Sequence, residues 1–439
     1  APVDAGWVVT LRFGLGALVL MVPTILMGMT LPILTACLDR GAAAYGRVVS
    51  VLYGANTLGA ALGALLAGYV LIPTLGLQST TLLAALLNLL VAAFGGEMGK
   101  RLKQVGARLE QDEDATSALS ASGRALPGWL VLMSFGGVGL VCLGLETLYM
   151  HLLAVVAGNS TYAFSLMLFA FLLGLGGGAT VIRQIPQAIS RPEVAMVVLL
   201  MLLAMCLGIE ESQWSTMADY FASFAGYPMP SSFGGRELVR AAVCLIALVP
   251  PAFLIGAFFP LAMGAVGRAG GVRALGTGAA VNTLGNIAGV FIGGFVLLPT
   301  VGALGGIKVL AVLAMGLAVC IVIGAGLMRE RVLVALGGMA ALCVVAAPTD
   351  LDYTRLASGA NVYFQPQHWG RVIDHAESAD GGLTSVHVTL QDGGTTMKTL
   401  TTNGKFQGND SGEVEAQIGF ALVPLAENPR RNDALEIGR

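Results

Sequence analysis

Apolar residues fill the first 347 positions in long blocks separated by short polar or Gly-rich joints. Several blocks run ~20 residues without a charge, the length a helix needs to cross a bilayer core of about 30 Å. The pattern predicts helical spans at about 7–38, 48–72, 78–94, 129–150, 162–181, 194–209, 237–266, 274–298, 303–327 and 331–347. Beyond Pro348 the character changes: charge, Thr and Asn rise, and apolar runs shorten to strand length. Segments 371–377, 384–391 and 396–402 alternate as half-buried strands do. QDGGTT (391–396) and Asn403–Gly404 supply hairpin-turn chemistry. A helix at about 413–425 leads through Asn428–Pro429 to a last short strand ending at Gly438.

The apolar pattern repeats. Arg12, Pro23, Gly28 and Pro32 recur 228 residues later as Arg240, Pro251, Gly256 and Pro260. NTLGAALGALLAGYVLIPTLG (56–76) recurs at an offset of 226 as NTLGNIAGVFIGGFVLLPTVG (282–302). Matching polar, Gly and Pro positions over two helices imply two halves crossing a membrane in the same sense, as in major-facilitator transporters. Three spans precede the second copy and none precedes the first, so equal halves require three more helices before Ala1. The beginning APVDAGWVVTLRFG, without Met or a basic leader, reads as a chain entered midway. The expected organisation is membrane helices over 1–94 (the second part of repeat 1), a charged cytoplasmic linker over 95–128 and repeat 2 over 129–330. An additional helix follows at 331–347, then a small β domain over 348–427 and the first strand of a truncated α/β, methyltransferase-like domain at 428–439.

Composition agrees with a membrane setting. Charged residues make up 11% and apolar residues 56%, where a soluble chain carries about a quarter charged. The net charge of −2 supplies no field for nucleic acid. Six scattered cysteines lie in apolar segments without CxxC spacing, so neither a zinc site nor a disulfide framework is indicated. Arg40, Arg47, Lys100, Arg101, Lys103, Arg108, Arg124, Arg183, Arg191, Arg268, Arg273, Arg329 and Arg331 all fall on one side of the expected topology. The positive-inside rule makes that side cytoplasmic. A spanning helix at 331–347 then carries the β domain to the outer face; a partly inserted one leaves it inside.

Several stretches resemble the fused major-facilitator/spermidine-synthase membrane proteins of bacteria. They are RFGLGALVLMVPTILMGMTLP (12–32), LYGANTLGAALGALLAGYVLIPTLGL (52–77), GLETLYMHLLAVVAGNSTYAFSLMLFAFLLGLGGG (144–178) and PTDLDYTRLASGANVYF (348–364). HAESADGGLTSVHVTL, TTNGKFQGNDS and NPRRNDALEIG are similar to the small β domain and first core strand of spermidine synthases. The resemblance implies a multi-pass protein of a bacterial inner membrane carrying an aminopropyltransferase-type domain. That domain would use decarboxylated S-adenosylmethionine as co-substrate and a polyamine as acceptor, without a metal. Most of its site would lie in a nucleoside-binding domain beyond Arg439. The resemblance also implies a site glutamine after the Asn-Gly turn, where Gln407 stands, and a Tyr-His pair on the next helix, where Ala416 and Gln417 stand. Gln407 and Gln417 are therefore the substrate-binding candidates of the soluble part; solvated polar surface is the plainer account of both.

Ionisable residues inside apolar spans are costly and so informative. Glu146 either lines a cavity and accepts a cation, or makes a structural bond or a pair with Arg12 or Arg240. His151 follows five residues later. The repeat-related Asn56 and Asn282 either bind substrate near the midplane or hydrogen-bond across helices beside Gly59, Gly63, Gly285 and Gly289. His368, His375 and His387 share no metal-ligand spacing. Three functions fit these features: aminopropyl transfer, transport of a polyamine or another amine, and a non-catalytic membrane subunit. The expected surroundings are membrane lipid and a homo-oligomer or larger membrane complex.

Overall fold

The computed structural model describes residues 6–37, 45–109, 127–185, 188, 191–211, 213–327, 331–347, 352–378, 382–391 and 394–427. The chain is mainly helical: α1 Gly6–Cys37, α2 Tyr45–Leu66, α3 Ile72–Leu109, α4 Gly128–Ala157, α5 Thr161–Ile182, α6 Pro192–Glu211, the short α7 Met217–Ala222, α8 Phe233–Phe291, α9 Leu298–Ala325 and α10 Arg331–Ala346. Two short helices, α11 Tyr353–Leu356 and α12 Ala360–Tyr363, lead into strands β1 Arg371–Ser378, β2 Gly382–Leu390, β3 Thr396–Thr402 and β4 Lys405–Asn409, and α13 Val414–Glu427 follows. Among the described residues, seven helical stretches are long and apolar enough to cross a membrane, as in a multi-pass membrane protein.

The charged stretch after residue 94 begins as helix, because α3 continues to Leu109. The rest of that linker, like the strand expected at 428–439, lies outside the described residues. Helical assignment is continuous from Phe233 to Phe291, yet this is not one straight rod. A Cβ on Gly278 would meet Val266 at 3.3 Å, and Phe135 approaches both Gly278 and Phe259. Twelve residues of straight helix span about 18 Å, so the chain reverses between Val266 and Gly278 into two antiparallel arms.

Both copies of the repeat share a local geometry. A π-helical turn at Ala67–Leu71 matches one at Ile292–Leu297. Each precedes a proline, Pro73 or Pro299. Proline has no N–H to donate and its ring crowds the carbonyl four residues back, so the helix widens by a residue there. Thr74 Oγ1 donates to the Val70 carbonyl, and Thr300 Oγ1 to that of Val296, both at 2.5 Å. Gly76 (φ 76°) and Gly302 (φ 70°) then break each helix in the left-handed region, which favours glycine.

The copies differ in what covers them. Gly285 and Gly289 lie against the backbone carbonyls of Gly136 and Leu140 on α4, and Gly256 against that of Leu175 on α5, so closely that a Cβ would overlap them. At their repeat partners Gly59, Gly63 and Gly28, a Cβ would have no described residue within 4 Å. In the span Ser50–Glu97 only 11% of the apolar window is buried, against 50% or more in α4, α5 and the arms of α8. The core thus lies among α4, α5, α6, α8, α9 and α10, centred on Phe135, Leu145, Tyr149, Phe171, Leu200 and Phe258.

β1 to β4 form an antiparallel meander in sequence order. β4 is an element beyond the three strands expected from alternation. It returns along β3 over a two-residue turn in which Asn403 (φ 51°) and Gly404 (φ 73°) are both left-handed, as a tight hairpin requires. One face of the sheet is buried yet polar: Ser385, His387, Thr399 and Thr401 are inaccessible. Thr401 joins Ser385 at 2.8 Å and His387 Nε2 at 2.9 Å.

α10 runs beside α6 in the same direction, with Gly337 at Met201 and Gly208 at Cys343. It therefore carries the chain from the end holding Arg183 and Arg191 to the end holding Gly158–Ser160 and α7. There the sheet domain docks. Asn361 Nδ2 donates to the Val155 carbonyl at 2.8 Å, Arg355 pairs with Asp219 at 2.6 Å, and Phe364 meets Phe221 edge-on at 5.8 Å. Lys308 Nζ donates to the Ala347 carbonyl at 3.0 Å, placing a cation at the C-terminal end of α10 where the helix dipole favours it.

Candidate functional site at the helix–sheet junction

Glu146, Met150 and Ala154 follow one another at helical spacing on α4, with Thr147 and His151 one position round. This stripe faces the start of α5. Gly158 (φ 90°) turns the chain out of α4, and the Ser160 hydroxyl caps α5 by accepting from Ala163 N at 3.1 Å. Between them lies a cavity of about 670 Å³, lined by Glu146, Thr147, His151, Asn159, Ser160 and Thr161 as well as Met150, Phe164, Met167, Val290 and Leu298.

His151 links this cavity to the sheet. Its Nε2 lies 3.1 Å from Glu377 Oε2, and Tyr353 donates its hydroxyl to Glu377 Oε1 at 2.9 Å. Burial pushes the Glu377 carboxyl up, but the bonds from His151 and Tyr353, the His151 charge and a backbone bond from Ala303 together outweigh it, and the net direction is down. Glu377 is therefore a carboxylate, an acceptor only, so His151 Nε2 must be the donor. The ring is 3% exposed, and its Nδ1 is buried without a hydrogen-bond partner among the described residues. Thr147 donates to the Leu143 carbonyl at 2.8 Å, which leaves its oxygen free to accept. The polar part of the lining is thus rich in acceptors.

No protein-family model matches the chain, and neither does any curated protein or solved structure. What the site can do must come from its geometry.

The other residues singled out in the sequence are dispersed. Arg12 is exposed on α1. Arg240 holds Glu237 at 2.6 Å, and the other Glu237 oxygen accepts from Tyr69 at 2.6 Å, so this carboxylate ties the π turn after α2 to α8. Asn56 is exposed, whereas Asn282 packs against Gly139 and borders a narrow cavity of about 40 Å³ with Asn286 and Cys142. Those two do not converge on one ligand. On the sheet, Gln407 is exposed, and the Gln417 amide covers Gly408. Gln407 is the bulged residue of β4, between the pairs Thr401–Phe406 and Leu400–Gly408, and no contact joins it to Gln417 among the described residues. His375 stacks on Tyr353 at 3.8 Å, His368 is exposed and His387 is buried. Among the described residues no three His, Cys, Asp or Glu side chains group to hold a metal ion.

Four functional or anchoring groups escaped the reading of the sequence: Glu377, Glu237, Lys308 and Glu210. Glu210 accepts from Tyr149 at 2.5 Å and from the Cys206 thiol at 3.2 Å. Glu237 and Arg240, three apart at the start of an apolar helix, formed a signal that could have been read as a pair.

Proposed function

We propose that the protein binds a cationic amine in the cavity lined by Glu146 and His151, and that the sheet domain, joined to that cavity by Glu377, serves as its regulatory cap. The observation that carries this reading is the acceptor-rich lining. An ammonium group brings donors only, and the cavity offers it the Glu146 carboxylate and the Thr147 oxygen. Apolar walls from Met150, Phe164 and Leu298 suit the methylene stem of an alkylamine. Polyamines are the substrate class the family resemblance suggests. By the positive-inside rule the Arg-rich end would face the cytoplasm of a bacterial inner membrane, with the cavity and sheet on the other side.

The test is binding of radiolabelled spermidine to the whole protein in nanodiscs. Glu146→Gln keeps the size of the side chain and removes its charge; affinity should fall by about tenfold or more, the worth of one charge-assisted hydrogen bond. Equal binding by wild type and variant, or no saturable binding by either, sinks the proposal.

Aminopropyl transfer keeps one supporting observation: the four-stranded meander is followed at once by a helix, the order its resemblance implies for the small domain of a spermidine synthase. On that reading decarboxylated S-adenosylmethionine is the co-substrate and Gln407 the residue to change. Incubation with that co-substrate and putrescine, read by mass spectrometry, decides it; absence of an aminopropylated product from the full-length protein counts against it.

A further inference from the structure

We infer that a second ligand site lies in a pocket of about 380 Å³ between α7 and the sheet domain, and that it takes a small ligand through a carboxylate or phosphate oxyanion. Asp219 borders it from α7; Arg355, Ser358 and Trp369 border it from the domain. The Trp369 indole nitrogen and the Ser358 hydroxyl are both buried without a hydrogen-bond partner among the described residues. Native folds rarely leave buried polar atoms unmatched, and the two residues that carry these atoms border the same pocket. An indole N–H only donates, so whatever satisfies it must bring an acceptor.

The ring that carries this donor is held still. Trp369 stacks on Phe406 at 5.5 Å and meets Tyr363 edge-on at 6.4 Å. Arg355 adds a third donor. One of its terminal nitrogens is held by Asp219 at 2.6 Å, which orients the guanidinium and leaves other N–H groups of the fork to address a ligand. The pairing also removes the repulsion that an isolated Asp219 would exert on an anion. His387 is occupied by Thr401 and Ser385, with Gly370 at its other nitrogen, and belongs to the sheet. The donors gathered here contrast with the acceptors around Glu146, so the two sites select opposite charges.

The oxyanion has two possible sources, a soluble anion or a lipid phosphate, and the experiment separates them. Whole protein labelled with 5-fluorotryptophan is placed in phosphatidylcholine nanodiscs and titrated with sodium phosphate or sodium succinate at constant ionic strength. The fluorine signal missing from Trp369→Phe assigns the reporter. A saturable shift of that signal, weakened about tenfold or more in Ser358→Ala and in Arg355→Gln, is expected for a soluble anion. A shift produced only by adding phosphatidylglycerol to the nanodiscs, with the same dependence on Ser358 and Arg355, assigns the site to lipid phosphate. If Trp369→Phe does not fold, calorimetric titration of the Ser358 and Arg355 variants answers the same question. No saturable response in any arm, or variants that respond like wild type, overturns the inference.

Discussion

Two side chains of the sheet domain have titrations displaced by their surroundings, for opposite reasons. Burial holds the His387 imidazole below its usual 6.5, against a weaker opposing contribution from the Gly370 carbonyl. Glu377 is held below its usual 4.5 by its donors, in spite of burial. For His387 the unfolded chain takes up the proton first, so its contribution is intact above 6.5 and is lost as pH falls below that value. For Glu377 the contribution is intact above 4.5 and is lost as pH falls through its lowered folded value. Acid should therefore loosen the molecule in two stages: the sheet begins to weaken as pH falls below 6.5, and the junction to α4 begins to fail only below 4.5. Hydrogen exchange of β2 and of the end of α4, followed against pH, reads the stages separately. Glu377→Gln should weaken docking by about 1–3 kcal/mol at neutral pH and erase the lower stage while leaving the upper. A single transition for both regions, unchanged in that variant, would refute the assignment.

At the scale of elements, close contact between glycines and backbone sets how α4 and α8 cross. Gly285 and Gly289 lie against backbone carbonyls of α4. Gly289→Ala should lower the thermal midpoint in detergent, at an overpacking cost of about 1–3 kcal/mol or more. An unchanged midpoint would mean that Gly289 does not set the helix crossing. The repeat was legible in the sequence because Pro, Gly and Thr act on the backbone of their own turn: Pro73 and Pro299 each follow a π turn at matching positions of the two copies. The same holds for Glu146 and His151, ionisable groups in an apolar run. Glu377 was not legible, since nothing in a strand reading RVIDHAES marks a carboxylate that meets a histidine 226 residues away. β4 was missed because a five-residue strand with two exposed polar positions alternates too briefly to stand out.

For the molecule as a whole, the sense in which α10 runs decides where the sheet works. Its 16 residues rise about 24 Å, short of a full bilayer core. Lys308 reaches the Ala347 carbonyl and satisfies that acceptor at the end of the helix. α10 lies parallel to α6 from Met201 to Gly208, and the chain beyond it brings Asn361 to the far end of α4. The sheet and the Arg183–Arg191 loop therefore occupy opposite ends of the bundle, and if the Arg-rich end is cytoplasmic the sheet is outside. Single cysteines at the exposed positions Gln365 and Gln184 test this in spheroplasts, once labelling of the native cysteines, which sit in apolar segments, has been subtracted. A membrane-impermeant maleimide should modify Gln365→Cys in intact cells and Gln184→Cys only after permeabilisation. The reverse pattern would put the sheet in the cytoplasm and overrule the charge bias. Labelling of both sites from one side would show that α10 does not cross. Only the first result leaves the Glu146 cavity at the outer end of the bundle, beside a sheet whose stability falls as that side turns acidic.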